Sequence, residues 1–134
     1  DFAQLRGDMA IENSATPVAF IYVCDRARAL AFYETVLGVT LHRADAFGDY
    51  LKLNGALLRM TVIPGHQASP HPMLGWNVAD IEATARALLA HGVTFTRFDG
   101  MEQDELGIWT SPDGASKVAF FADPDGNVLS VSQG

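Results

Sequence analysis

The residues VAFIYVCDRARALAFYETVLG, numbers 18–38, decide the fold. Thr16 to Cys24 is an apolar run rich in β-branched and aromatic side chains and predicts a buried strand. Asp25 directly after it predicts a helix N-cap. Beyond it, Ala29, Leu30, Phe32, Tyr33, Val36 and Leu37 recur at three- and four-residue spacings, which makes one apolar helix face that Gly38 stops. The same order returns in MLGWNVADIEATARALLAHG, numbers 73–92. There Met73 to Val78 is the apolar run, Asp80 the cap, Ile81, Ala85, Leu88 and Leu89 the helix face, and Gly92 the stop. Asp25 and Asp80 are 55 positions apart and Gly38 and Gly92 are 54, so one unit is written twice with one residue dropped.

After each glycine come strand-like segments: Val39 to Arg43, Tyr50 to Leu53 and Ala56 to Ile63, then Val93 to Phe98, Ser116 to Ala122 and Asn127 to Ser132. Each half is therefore βαβββ. Asn54-Gly55, Pro112-Asp113-Gly114 and Asp123-Pro124-Asp125-Gly126 favour tight reversals between these strands. The expected organisation is one domain over 15–134, made of modules 15–63 and 72–134 joined by a Pro- and His-containing linker at 64–71. Residues 1–14 form an N-terminal extension, in which Met9 is a candidate start and 1–8 are either native or added.

At 134 residues and 14.4 kDa, with 49% hydrophobic and 19% charged residues, the chain can bury one core and lacks the composition of disorder. The formal net charge of −7 argues against nucleic acid as a partner, because phosphate-backbone binding needs clustered Lys and Arg. No apolar stretch reaches the ~20 residues of a membrane helix, and the first residues carry no secretory pattern, so a cytoplasmic protein without a membrane partner is expected. The lone Cys24 rules out an internal disulfide and is expected to be a small core residue rather than a reactive thiol. No glycine-rich loop leads from a strand into a helix, so a phosphate cradle is unsupported.

Val23-Cys24-Asp25, Ala31-Phe32-Tyr33 and Leu37-Gly38 in the first half, with Val78-Ala79-Asp80 and Asp123-Pro124-Asp125-Gly126-Asn127 in the second, resemble the vicinal oxygen chelate (VOC) superfamily. That superfamily includes glyoxalase I, extradiol dioxygenases, fosfomycin resistance enzymes and bleomycin resistance proteins. The resemblance covers Thr16 to Gln133. It implies an α+β fold of two βαβββ modules whose strands form a curved, cup-like mixed sheet, the glyoxalase/bleomycin resistance fold, with a ligand in the cup and a homodimer as the usual assembly.

The resemblance also implies where a metal would sit, and there this chain departs from the pattern. The His seven residues before each capping Asp falls on Val18 and Met73. The Glu of each closing strand falls on Arg59 and Ser130. None of these is a ligand for a divalent cation at such a site, and an arginine repels one, so no metal and no cofactor is expected. Strand alternation puts Phe20 and Tyr22 on the face of Val18, Gly75 and Asn77 on that of Met73, Leu57 and Thr61 beside Arg59, and Val128 and Ser132 beside Ser130. The expected ligand-binding residues are Val18, Phe20, Tyr22, Arg59, Met73, Asn77, Trp109 and Ser130. No catalytic residue is assigned.

Elsewhere the bland readings prevail. His71 lies between two prolines in the linker, His91 suits a helix C-terminus, and His42 and His66 are surface residues. Glu102, Asp104 and Glu105 form a solvated loop or a lid that brings Trp109 to a ligand. Arg59 is either the anchor of an anionic group or an edge-strand residue that snorkels or pairs with an acidic neighbour. Three functions stay open. One is a metal-independent small-molecule-binding protein of the glyoxalase/bleomycin-resistance type. Another is an enzyme, a glyoxalase-like lyase, isomerase or dioxygenase with displaced metal ligands, or a cofactor-free one using Arg59 with Tyr22 or Glu102. The third is a module whose cup is filled by its own side chains.

Overall fold

The computed structural model describes residues 10–134, so residues 1–9 of the expected extension lie outside the described residues. The first half gives β1 (Val18–Val23), α1 (Arg26–Ala31) running into a π-helical turn (Phe32–Val36), β2 (Thr40–Asp45), β3 (Gly48–Leu53) and β4 (Ala56–Val62). In the second half come β5 (Pro72–Asn77), α2 (Ile81–Ala90), β6 (Trp109–Thr110), β7 (Lys117–Ala122) and β8 (Val128–Gln133). Each half forms a four-stranded mixed sheet in matching order, β1-β4-β3-β2 and β5-β8-β7-β6, and both sheets are open. The first strand lies parallel to the last in each, and the other pairs are antiparallel.

Local chemistry sets the helix boundaries as expected. Asp25 accepts the Arg28 N–H at 3.1 Å and Asp80 the Ala83 N–H at 3.0 Å, each satisfying a donor that the first turn leaves orphaned. Gly38 and Gly92 adopt φ of +74° and +87°, the left-handed stop that only glycine takes without cost. The first helix is not α-helical throughout: Leu37 N–H reaches back five residues to the Phe32 carbonyl at 3.1 Å.

One expected strand is absent. Val93 to Phe98 touches the sheet at a single bridge, Phe95 to Phe121, and Arg97 and Phe98 bond instead to Gln103 and Glu105 of the following loop. The two-residue β6 pairs with the rest of the same β7 edge, so one edge strand is split in two by the inserted loop.

Ile21, Val23, Leu51, Leu58 and Met60 project from the first sheet toward Ala29 and Tyr33. Ala119, Phe121, Leu129 and Val131 project from the second toward Ile81, Ala85 and Leu88, and all belong to one continuous buried cluster. The halves are joined by the turn before β8. Asp123 is buried there, its Oδ1 accepting the Asp125 and Asn127 N–H groups, both at 2.9 Å, and its Oδ2 accepting the Tyr33 hydroxyl at 2.9 Å and Asn127 Nδ2 at 2.8 Å. Asn127 Nδ2 also donates to the Tyr22 carbonyl at 3.0 Å, and the Cys24 N–H donates to Asp125 Oδ1 at 2.9 Å. Burial first, then the Asp123 charge and hydrogen bond, push the Tyr33 hydroxyl far above the usual tyrosine range. No helix among the described residues is long and apolar enough to cross a membrane.

Candidate functional site

The faces of the two sheets turned away from the helices are the open ones. On the first, strand register lines up three rows across β1, β4, β3 and β2: Val18, Leu57, Lys52, Thr40; then Phe20, Arg59, Tyr50, Arg43; then Tyr22, Thr61, Gly48, Asp45. The middle row carries the chemistry. Phe20 is 59% exposed, whereas Arg59 beside it is only 8% exposed. β4 is an interior strand, between β1 and β3, which removes the edge-strand reading of Arg59.

The Arg59 guanidinium sits 4.7 Å from the centre of the Tyr50 ring and donates through Nη2 to Asp45 Oδ1 at 3.0 Å. Asp45 Oδ1 also accepts the Phe47 and Gly48 N–H groups at 2.8 and 3.1 Å, in the turn between β2 and β3. Together the Arg59 hydrogen bond and the Phe47 N–H hold the Asp45 carboxyl below the usual carboxylate range, so it is charged at neutral pH. Arg59 Nη1 is buried and has no hydrogen-bond partner among the described residues. A buried donor left unmade costs roughly 1–3 kcal/mol, so this nitrogen is an uncompensated polar group in the middle of the sheet.

Arg43 stacks on the same Tyr50 ring at 4.1 Å. With Lys52 one row away, this face carries, among the described residues, three cations against the single carboxylate of Asp45, in a chain whose formal net charge is −7. The acidity of the whole chain and the cationic character of its open face are therefore compatible: the fold segregates them.

The remaining expected residues lie on the second sheet. Gly75 pairs with Ser130, and Asn77 with Ser132, Val118 and Trp109 in one row. The Ser130 hydroxyl occupies the space that a side chain on Gly75 would fill. Ser132 Oγ meets Asn77 Oδ1 at 3.2 Å. Met73 sits at a register irregularity between Pro72 and Leu74 and is 40% exposed. Thus Val18, Phe20, Tyr22 and Arg59 come together on one sheet, and Met73, Asn77, Trp109 and Ser130 on the other.

Trp109 is half-buried and lines a groove of about 710 Å³ with Glu102, Gln103, Asp104, Ile108 and Thr110, so it does adjoin the acidic loop. Asp104, however, is held inside that loop, its Oδ1 accepting the Leu106 and Ile108 N–H groups at 2.9 Å. Cys24 is exposed rather than buried in the core, because β1 ends one residue before it; its thiol donates to the His66 carbonyl at 3.3 Å. His66 is half-buried rather than simply a surface residue, its ring 5.2 Å from that of Tyr22. His91 closes its helix as expected, its Nδ1 2.9 Å from the Ala87 carbonyl. His42 and His71 are exposed.

Tyr50, Arg43 and Asp45 were not among the expected site residues. Tyr50 was within reach of the sequence: a two-residue turn at Asn54-Gly55 pairs Leu53 with Ala56, and counting outward puts Tyr50 opposite Arg59. Arg43 was not, because the register slips between Leu41 and Arg43.

The donor set at the four positions where the resemblance would place a metal does not suit one. Val18 offers only carbon and Met73 a thioether, Ser130 turns its hydroxyl to the Gly75 backbone, and Arg59 is a cation already paired with Asp45. Among the described residues, no three His, Cys, Asp or Glu side chains gather closely enough to hold an ion.

Many solved structures share this architecture. A glyoxalase family protein from Bacillus anthracis superposes with a TM-score of 0.71 at 14% identity, over 93% of this chain and 98% of that one. Lactoylglutathione lyase from Agrobacterium tumefaciens gives 0.68 at 20% identity, over 92% and 96% of the two chains. TnmS3, an antibiotic binding protein from Streptomyces sp. CB03234, gives 0.65 at 25% identity, over 93% and 98%. No protein of curated function matches the sequence. The sequence profile of one family matches residues 15–131, nearly the whole chain and both modules, and the paired βαβββ sheets agree with it: the chain belongs to the Glyoxalase/Bleomycin resistance protein/Dioxygenase superfamily.

Proposed function

We infer that this chain is a metal-independent small-molecule-binding protein that holds an organic anion with a flat apolar body on the open face of its first sheet, without making or breaking bonds. The observation that carries this reading is the buried Arg59 with one unpartnered nitrogen beside an exposed Phe20. The apolar body lies on Phe20 and Val18, and an anionic oxygen displaces the side chains that cover the buried Arg59 Nη1 and takes its hydrogen, while Asp45 keeps the other edge of the guanidinium in place. A charge-assisted hydrogen bond of this kind contributes on the order of 1.5–3 kcal/mol. Tyr50 fixes the guanidinium from the side, so little orientational entropy is lost on binding.

Two further observations support it. The positions that would hold a metal carry no suitable donors, and a structural neighbour at 25% identity is described as binding an antibiotic. The test is calorimetric titration with aromatic monocarboxylates such as benzoate and 1-naphthoate, at low salt and into the millimolar range. Saturable one-to-one binding is expected, with Arg59→Met keeping the fold through its similar stem and weakening affinity about tenfold or more, since ~1.4 kcal/mol is one decade. Absence of saturable binding, or binding unchanged in Arg59→Met, overturns the reading.

A further inference from the structure

We propose that Arg43 is a second anion-binding residue on this face, so that the ligand carries two anionic groups rather than one; this rests on the reading of Arg59 as an anion anchor. Arg43 and Arg59 flank Tyr50 in one row across β2, β3 and β4. Their guanidinium carbons lie 4.1 and 4.7 Å from the same ring centre, hence within about 9 Å of each other. Their partners differ. Arg59 shares its charge with Asp45, whereas Arg43 has no hydrogen-bond or ion-pair partner among the described residues, only the face of Tyr50.

Two guanidiniums held against one ring repel each other in the unliganded protein, and a single Asp45 carboxylate neutralises one of them. A monoanion on Arg59 Nη1 leaves the charge of Arg43 unanswered. A second anionic group on the same ligand answers it, at a spacing that the substituents of one aromatic ring span. The bulge that displaces His42 from the ladder is what returns Arg43 to the open face opposite Tyr50. Lys52 is the rival for the second contact, but it belongs to the neighbouring row with Leu57 and Val18, over the apolar end of the face.

Benzoate and isophthalate, titrated at the same ionic strength, separate the two claims, because they differ by one carboxylate on the same ring. In the wild-type protein isophthalate is expected to bind about fivefold or more tighter than benzoate. Arg43→Gln should bring that ratio to near one, weakening isophthalate more than benzoate, and Lys52→Gln should leave the ratio as it is. Arg59→Met should weaken both ligands. Equal affinity of the two ligands in wild type, an unchanged ratio in Arg43→Gln, or a ratio lost in Lys52→Gln instead overturns the assignment of Arg43 while leaving the Arg59 anchor standing. Failure of benzoate itself to bind overturns the anchor and this inference with it.

Discussion

Replacing Tyr33 by phenylalanine removes one oxygen from the junction of the two halves, and its effect can be worked out in both size and pH dependence. Tyr33 is fully buried, and its hydroxyl is one of four donors to the Asp123 carboxylate, itself 5% exposed. Hydrogen bonds to a charged acceptor are worth roughly 1.5–3 kcal/mol, and phenylalanine leaves almost no cavity, so Tyr33→Phe should cost about 2 kcal/mol at neutral pH. For a domain of this size that lowers Tm by roughly 5–10 °C. The folded pKa of Tyr33 is raised above its ordinary value of 10.0, so its contribution is fully present below that pH and is lost as the unfolded chain ionises above it. The loss approaches ~1.4 kcal/mol per pH unit for one proton, which closes a gap of 2 kcal/mol about 1.5 units above the tyrosine value. Urea titrations of both proteins between pH 7 and the alkaline limit measure this directly. A neutral-pH difference below about 0.5 kcal/mol, or one that stays constant through the alkaline range, would refute the assignment of this hydroxyl as a buried donor to Asp123.

Gly48→Ala should destabilise by roughly 2–3 kcal/mol, because its new methyl group would overlap the Met60 carbonyl on the adjacent strand, a backbone atom that cannot step aside; a wild-type urea midpoint would contradict this. Elemental analysis after gentle purification should find no stoichiometric zinc, nickel, iron or manganese, and near-stoichiometric metal that disappears in His71→Ala would favour instead the enzyme with displaced metal ligands. Light scattering at micromolar concentration should give a homodimer, since among the described residues β1 and β5 each pair on one side only and Val18, Phe20 and Met73 are exposed; a monomer mass would sink that expectation.

What could be read from the sequence follows from which forces are local. The caps at Asp25 and Asp80, the glycine stops and the face alternation of β1, β4, β5 and β8 are set within a few residues, and all were legible. Val93 to Phe98 misled because β propensity describes a segment and not the edge it must share: the loop from Asp99 to Gly107 interposes, and Gln103 takes the backbone groups that a ladder would have used. At the candidate site, Arg59 stood out as a cation in an apolar strand. Its surroundings did not, since Asp45 reaches Arg59 from a turn and Arg43 is brought to the same Tyr50 ring by a bulge, and neither leaves a periodic mark.

The π-helical turn at Phe32–Val36 explains how the two copies differ in length without differing in plan. From Asp25 to Gly38 is thirteen positions and from Asp80 to Gly92 is twelve. An extra residue in an α-helix would rotate everything after it by about 100°, carrying the exit of the chain away from the next strand. Widening one turn swallows the surplus, so Gly38 still delivers the chain to β2 as Gly92 delivers it toward the sheet of its own half. Leu37, at the end of that turn, lines a small apolar cavity together with Trp76, Leu88 and Phe121 of the other half. The helical layer thus acts as a tolerance joint: changes in length are taken up on the side of the molecule that faces away from the candidate site, and the register of the strands that present Phe20, Arg59 and Tyr50 is left undisturbed.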